Sequence, residues 1–322
     1  RGAGAYRAMV SGKSGLVVPA AGTQWRGKAA GDRQESWTVT DILVFGRSGQ
    51  VAKEIQALGD VFTLGRVDVD LSDPAACTAA IHAYRPRAVI NAAAYTAVDR
   101  AEEEEALANT VNGEAPIAMA RACASLNIPF VHISTDYVFS GNGTRAWLPD
   151  DMTEPQNAYG RSKLAGEVGI RAAGCTHTIL RTSWVFSAHG SNFVKTMLRL
   201  SESRDELSVV DDQIGGPTPA REIAAACLSI AQQLCDDPDK AGTYHFSGAP
   251  DVSWCTFARD IFAQAGRSTH VSPITTRNYP TSAARPLNSQ LDCQTTEQVF
   301  GISRPNWRAN LADTIIDLGI TT

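Results

Sequence analysis

Apolar residues along the chain fall into two rhythms. Short unbroken runs at Ile42–Phe45, Val61–Leu64, Ala88–Asn91, Ile128–Ser134 and Thr178–Arg181 alternate with segments of helical periodicity at Gln50–Leu58, Pro74–Tyr84, Ala115–Leu126 and Tyr159–Arg171. The first kind reads as strands and the second as helices. Strand and helix in strict alternation predict an α/β fold, a Rossmann-type doubly wound parallel sheet. After Trp184 the texture changes. Gly215-Gly216-Pro217-Thr218-Pro219 and Gly248-Ala249-Pro250 separate shorter helices, as expected of a smaller C-terminal substrate-binding lobe packed beside the nucleotide domain. The predicted organisation is therefore residues 41–185 for the nucleotide-binding domain and 186–322 mainly for the lobe. Residues 1–40 lack any sustained periodicity and are rich in Gly, Ala, Arg and Ser, which predicts a disordered extension or an expression remnant. A signal peptide is disfavoured there, because the apolar core Leu16–Ala21 is shorter than such a region needs.

Composition narrows the class. The 322 residues are 43% hydrophobic and 20% charged, which suits a soluble globular enzyme. A net charge of −5 and a pI near 5.7 argue against a nucleic-acid partner. No apolar stretch approaches the ~18 residues of a membrane helix. The seven cysteines contain no C-x-x-C pair, as expected of buried thiols in a reducing, cytoplasmic compartment.

Candidate chemistry sits on three segments. In Asn157-Ala158-Tyr159-Gly160-Arg161-Ser162-Lys163, Tyr159 and Lys163 are one helical turn apart and share a face. A cation near the phenol would favour its phenolate and make Tyr159 a useful proton donor. The run Asp41–Phe45 breaks into Gly46-Arg47-Ser48-Gly49-Gln50-Val51-Ala52, whose glycines permit a sharp turn and whose helix N-terminus offers N–H groups to a pyrophosphate. The strand Val131–Ser134 ends in hydroxyls where open α/β sheets bind ligands. Alternation sends Ser134 to the opposite face from Thr135, leaving Thr135 as the candidate.

The glycine turn, Asn91-Ala92-Ala93-Ala94-Tyr95-Thr96-Ala97-Val98-Asp99, Ser134-Thr135-Asp136-Tyr137-Val138-Phe139, Tyr159-x-x-x-Lys163, Arg181-Thr182-Ser183-Trp184-Val185 and Arg285-Pro286-x-Asn288-Ser289-x-Leu291 follow one another in order from about Asp41 to Gly319. Together they resemble the dTDP-4-dehydrorhamnose reductase family of extended short-chain dehydrogenase/reductases. The resemblance implies a chain that crosses between its two lobes more than once, so a cut near 185 is approximate. It implies NADPH as cofactor, with NADH as the alternative, and reduction of the C4 ketone of a 6-deoxy-4-keto nucleotide sugar. Tyr159 then donates the proton, Lys163 holds the nicotinamide ribose, and Thr135 hydrogen-bonds the ketone oxygen. Gly46, Arg47, Ser48, Gly49, Gln50, Val51 and the segment Asn91, Ala92, Ala93, Ala94, Tyr95 would line the cofactor. Thr135, Asp136, Tyr137, Trp184, Asn192, Arg285 and Asn288 would meet the substrate. Family members often carry Mg2+ between the subunits of a homodimer; Glu54 fits one such position, but Arg221 stands where another acid is expected.

Competing readings are set by single residues. Sugar-nucleotide 4,6-dehydratases resemble this chain but carry Thr-Asp-Glu, and Tyr137 here replaces the glutamate base; reduction is favoured over dehydration and over 4-epimerisation. An NADP-binding regulatory subunit of a methionine adenosyltransferase is the other alternative, disfavoured by the acceptor residues Trp184, Asn192 and Arg285–Leu291. For the cofactor, Arg66 follows the second strand and Arg47 lies in the glycine turn, two cations suited to a 2′-phosphate, with Asp70 nearer the adenine edge. Arg285, stiffened by Pro286, suits a diphosphate, or alternatively a structural ion pair. The acidic run Glu102–Glu105 reads as a solvated helix start, and His132, inside a strand, as a packed core residue; no metal site is expected.

Overall fold

The computed structural model describes residues 41–320; the expectation for residues 1–40 lies outside them. The chain begins with β1 (Ile42–Phe45), α1 (Gln50–Leu58), β2 (Phe62–Leu64), α2 (Pro74–Tyr84) and β3 (Ala88–Asn91). A short α3 (Glu105–Asn109), a π-helical turn over Thr110–Glu114 and α4 (Ala115–Leu126) lead to β4 (Phe130–Thr135), α5 (Ala158–Ala172) and β5 (His177–Thr182). Then follow β6 (Val185–Phe186), α6 (Phe193–Ser201), β7 (Glu206–Val210), β8 (Ile214–Gly215), β9 (Thr218–Pro219), α7 (Ala220–Asp236) and β10 (Gly242–His245). The chain closes with β11 (Val252–Ser253), α8 (Trp254–Gln264), β12 (His270–Ile274), β13 (Asn288–Ser289), α9 (Gln294–Phe300) and α10 (Trp307–Asp317).

Six strands form one parallel sheet in the order β10-β5-β4-β3-β1-β2. Alternation along β1 decides the layers. Ile42 and Val44 enter a core with Ile55 of α1 and Ile223, Ala224 and Ile230 of α7. Leu43 and Phe45 enter the opposite core with Ile81 of α2 and Met119 and Cys123 of α4. Strands covered on both faces carry continuous apolar runs, which is why the runs in the sequence locate them. From β1 the chain moves outward to β2 and then returns to the other side of β1 as β3. The crevice at the carboxyl ends of β1 and β3 is the switch point where such sheets bind ligands.

A third core lies beyond β5, with Val194 and Met197 of α6, Phe257 and Ile261 of α8, and Trp307 and Leu311 of α10. The chain does not stay there once it has entered. α7 packs on the sheet face against α1, and β10 pairs with β5 as the sheet's edge. A boundary near residue 185 is thus recrossed between residues 220 and 245.

Candidate active site

Several anchors set the first turn of α5. Asn157 caps it, its Oδ1 accepting from Gly160 N–H at 2.8 Å, while its Nδ2 donates to Ala284 O at 2.8 Å. Glu102 Oε1 accepts the free N–H of Ala158 at 2.8 Å. Gly160 permits the closest approach, since a Cβ there would lie 2.2 Å from the Tyr137 carbonyl. The turn therefore lies directly on the segment that leaves β4. Tyr159 and Tyr137 meet edge to face with ring centroids 5.6 Å apart, and the Thr135 hydroxyl lies close enough to the Tyr159 phenol to lower its proton affinity. Thr135 also donates to Asp136 Oδ1 at 3.0 Å and accepts from Tyr137 N–H at 3.2 Å.

The electrostatics differ from the sequence expectation. Burial pushes the Tyr159 phenol up to about 12; the Thr135 hydroxyl pulls it down and the Asp136 charge adds to the rise. Lys163 does not hold the phenol acidic here, because its Nζ is turned to β4, 2.7 Å from Ile133 O and 3.0 Å from His132 Nε2. Burial brings the Lys163 ammonium down to about 8. Tyr159 thus keeps its proton at neutral pH, which suits an acid. His132 is buried as expected, yet it is more than packing: both ring nitrogens have partners, Lys163 and Asn91. Ser134 faces away from Thr135 and donates to Glu167 Oε1 at 2.6 Å. Burial also raises Asp136, to about 6.

At the switch point, Gly46 adopts φ +119, and a Cβ there would come within 3.2 Å of the Ala92 carbonyl carbon and 3.3 Å of Ala52 Cβ. α1 opens on Gly49 with no side-chain cap and no acid in its first turn. Its N-terminal N–H groups remain open to an anion, with Ser48 exposed beside them. Gln50 turns away to bind Ser187 Oγ at 3.0 Å and Asn192 Nδ2 at 2.8 Å, and the Val51 side chain enters the core, so Val51 can offer a cofactor only its backbone. Arg47 reaches Thr63 O at 2.7 Å and Asp68 at 2.8 Å. Arg66, 82% exposed, pairs with Asp70 at 3.1 Å, and Asp70 also accepts from Ser72 N–H. Beyond β3, Ala92 and Ala93 are half-buried and Ala94 is exposed. Asn91 spends its side chain on Ala93 N–H and His132. Tyr95 donates its hydroxyl to Glu104 at 2.7 Å.

The expected substrate residues divide. Tyr137 follows β4 and Trp184 follows β5; Trp184, at φ +49, stacks on Trp254 with centroids 3.6 Å apart. Arg285 forms an ion pair with Asp99 at 2.6 Å and donates to Ala283 O at 2.9 Å, the structural alternative weighed above. Asn192 caps α6 and also donates to Ser187 O; Asn288 donates to Arg145 O and accepts from Gln290 N–H. Both amides are spent within the protein.

Sequence reasoning missed the acidic run. Glu102 caps α5, Glu104 holds Tyr95 and Arg100, and Glu105 pairs with Arg161 of α5 at 2.8 Å, so the run clamps α5 as well as facing solvent. It also missed Asn112, whose amide binds both main-chain groups of Tyr95 and Ser162 Oγ from inside the π-helical turn. No local motif marks that turn. Glu54 lines one cavity with Arg221, Asp313 and Asp317. Among the described residues of this one chain no group of three or more His, Cys, Asp or Glu could hold a metal, and the Arg221 guanidinium in the Glu54 cavity opposes a cation there.

A parallel sheet with a glycine turn at its switch point and a Tyr-x-x-x-Lys helix beside a strand-end threonine defines an extended short-chain dehydrogenase/reductase. A family model described as the RmlD substrate binding domain matches residues 40–320. The dTDP-4-dehydrorhamnose reductase of Sinorhizobium fredii is 43% identical over 83% of this chain and 93% of its own length. Two solved dTDP-4-dehydrorhamnose reductases superpose closely. That of Clostridium acetobutylicum has a TM-score of 0.80 at 36% identity, covering 86% of this chain and 99% of its own. That of Bacillus anthracis, in complex with NADP, has a TM-score of 0.79 at 33% identity, covering 86% and 98%. The chain belongs to the dTDP-4-dehydrorhamnose reductase family.

Proposed function

We propose that this protein reduces the C4 ketone of dTDP-4-dehydro-L-rhamnose to dTDP-L-rhamnose with NADPH. The observation that carries the reading is the first turn of α5 laid on the carboxyl end of β4, which brings Tyr159 against the Thr135–Tyr137 segment, in a chain of this family. The dinucleotide fits the residues present: a Gly46 cradle that a Cβ would fill, and an α1 N-terminus free of acids and side-chain caps. Bound there, NADPH supplies the hydride. Thr135 and Tyr159 take the ketone oxygen between their hydroxyls, and as charge develops on it Tyr159 releases its proton to complete the alcohol. Tyr137 supports reduction over dehydration, since it packs an aromatic ring against Tyr159 where a dehydratase needs a carboxylate. Within this reading, residues 41–185 with 220–245 hold the cofactor and the remainder forms the sugar-nucleotide lobe. The test is to supply dTDP-, UDP- and GDP-linked 4-keto-6-deoxy sugars. One NADPH consumed per dTDP-sugar is expected; conversion without NADPH consumption would reassign the enzyme to epimerisation.

A further inference from the structure

Beneath Tyr159 and Lys163 runs a buried polar relay that crosses from β3 through β4 to α5. Ala93 N–H donates to Asn91 Oδ1 at 3.1 Å, Asn91 Nδ2 lies 3.1 Å from His132 Nδ1, His132 Nε2 lies 3.0 Å from Lys163 Nζ, and Lys163 Nζ lies 2.7 Å from Ile133 O. Asn91, His132 and Lys163 are 1%, 0% and 2% exposed, so solvent does not substitute for any of these contacts.

The direction of each bond follows from the first. A backbone N–H can only donate, so the Asn91 oxygen faces Ala93 and its NH2 faces the imidazole. An amide NH2 also only donates, so His132 Nδ1 accepts and carries no proton. A neutral imidazole then bears its single proton on Nε2, pointing at Lys163 Nζ. An ammonium has three donors and no lone pair; set 3.0 Å against that N–H it would make a donor–donor contact. The free amine has the lone pair required and still donates to Ile133 O.

We propose that Asn91 and His132 are positioning residues whose directed hydrogen bonds favour the neutral amine of Lys163 while the site is empty, so that, in the pH range where that amine has lost its proton, dinucleotide binding is coupled to uptake of one proton by Lys163. The balance is simple. One proton leaves a solvent acid and forms an N–H bond on Nζ, and the contact from His132 to the amine lone pair is given up for acceptor oxygens on the ligand. The other groups around Lys163 do not oppose this. Tyr159 on the same helix is a neutral phenol, and Glu167, one turn on, is committed to Arg181 of β5, to Ser134 of β4 and to Arg171. Burial keeps His132 from taking a second proton and lowers Lys163 as well, with the Glu167 charge acting the other way. Only the coupling to dinucleotide rests on the proposed function; the state of the empty site does not.

The experiment uses the full chain without ligand, labelled with nitrogen-15 in its six histidines and with carbon-13 and nitrogen-15 in its six lysines. His132 and Lys163 signals are identified by their loss in His132→Gln and Lys163→Arg. The expected result is an Nε2–H tautomer for His132 and a Lys163 titration midpoint near 8. A His132 with its proton on Nδ1, or a Lys163 that stays charged well above that midpoint, overturns the relay and leaves the reductase reading standing. Asn91→Asp keeps the shape and the acceptor for Ala93 but offers His132 an acceptor in place of a donor. It should reverse the tautomer and raise the proton affinity of Lys163 by about tenfold or more; an unchanged tautomer overturns the relay. Heats of NADP+ binding in buffers of differing ionisation enthalpy, above the Lys163 midpoint, then read the proton count. Near one proton taken up supports the coupling, and none overturns it. Absence of any NADP+ binding strikes instead at the proposed function.

Discussion

Tyr159 is a phenol whose proton is held tightly by its surroundings, so its replacement separates chemistry from binding. Tyr159→Phe is expected to lower kcat by about 10²–10⁴, the usual scale of general acid catalysis, with the NADPH dissociation constant unchanged by fluorescence titration. Arg47 and Arg66 are tested differently. Both are exposed enough to trade their carboxylate partners, Asp68 and Asp70, for a phosphate. The wild-type enzyme should prefer NADPH to NADH by at least ~10-fold in kcat/KM, since one charge-assisted contact is worth roughly 1.5–3 kcal/mol, and Arg47→Ala with Arg66→Ala should abolish the preference. Equal efficiency with NADH before mutation would show that neither arginine reads a phosphate. The placement of Tyr159 and Lys163 one turn apart on α5, and of Thr135 away from Ser134, was legible in the sequence because a helical turn and strand alternation fix it, whereas the turn of Lys163 toward β4 was not. Their partners were not. His132 looks like any apolar-strand residue until the fold brings Asn91 and Lys163 to its two nitrogens, and Asn192 and Asn288 lose their ligand-facing aspect to contacts that no spacing reveals.

The helix that carries Tyr159 and Lys163, α5, is docked at three levels. Glu102 and Asn157 fix its start, Gly160 fixes its distance from the strand end, and Glu167 fixes its middle to β4 and β5. Gly160→Ala must move the helix away from Tyr137, and it is expected to reduce kcat even at temperatures where circular dichroism reports a folded protein. Burial would raise the Glu167 carboxyl, but Arg181 and Ser134 hold it below the ordinary range. A carboxyl depressed in the folded state stabilises above its unfolded value, and that contribution fades as pH falls through the folded value. Glu167→Gln leaves Arg181 buried without its counter-charge and should cost about 3–5 kcal/mol at neutral pH. In urea titrations the gap to the wild type should shrink on going to strongly acid pH; a constant gap would mean the loss is packing alone. Strands buried on both faces, β1 and β3, and helices with one buried face, α1, α2 and α4, were readable almost to the residue. The segment from Asp99 to Glu114 was not, because its 3-10, α and π turns have no common period and its acids look solvated until α5 lies beside them.

At the scale of the whole molecule, Glu54 and Arg221 share a cavity with Asp313 and Asp317, and a guanidinium there supplies fixed positive charge. Chelation with EDTA should therefore leave both turnover and gel-filtration elution unchanged; a loss of either would show that a metal is bound despite Arg221. The edge strand β10 has a consequence in time. It completes the sheet beside β5 from residues 242–245, and α7 covers the sheet face on the way. During synthesis the first five strands emerge with one flank of β5 unpaired and one apolar face covered only by α1, and they stay so while roughly 60 further residues are added, about 3–12 s at 5–20 residues per second. A nascent chain halted after Thr182 should accordingly be captured by chaperones and cut readily by protease, and one extended past His245 should resist both.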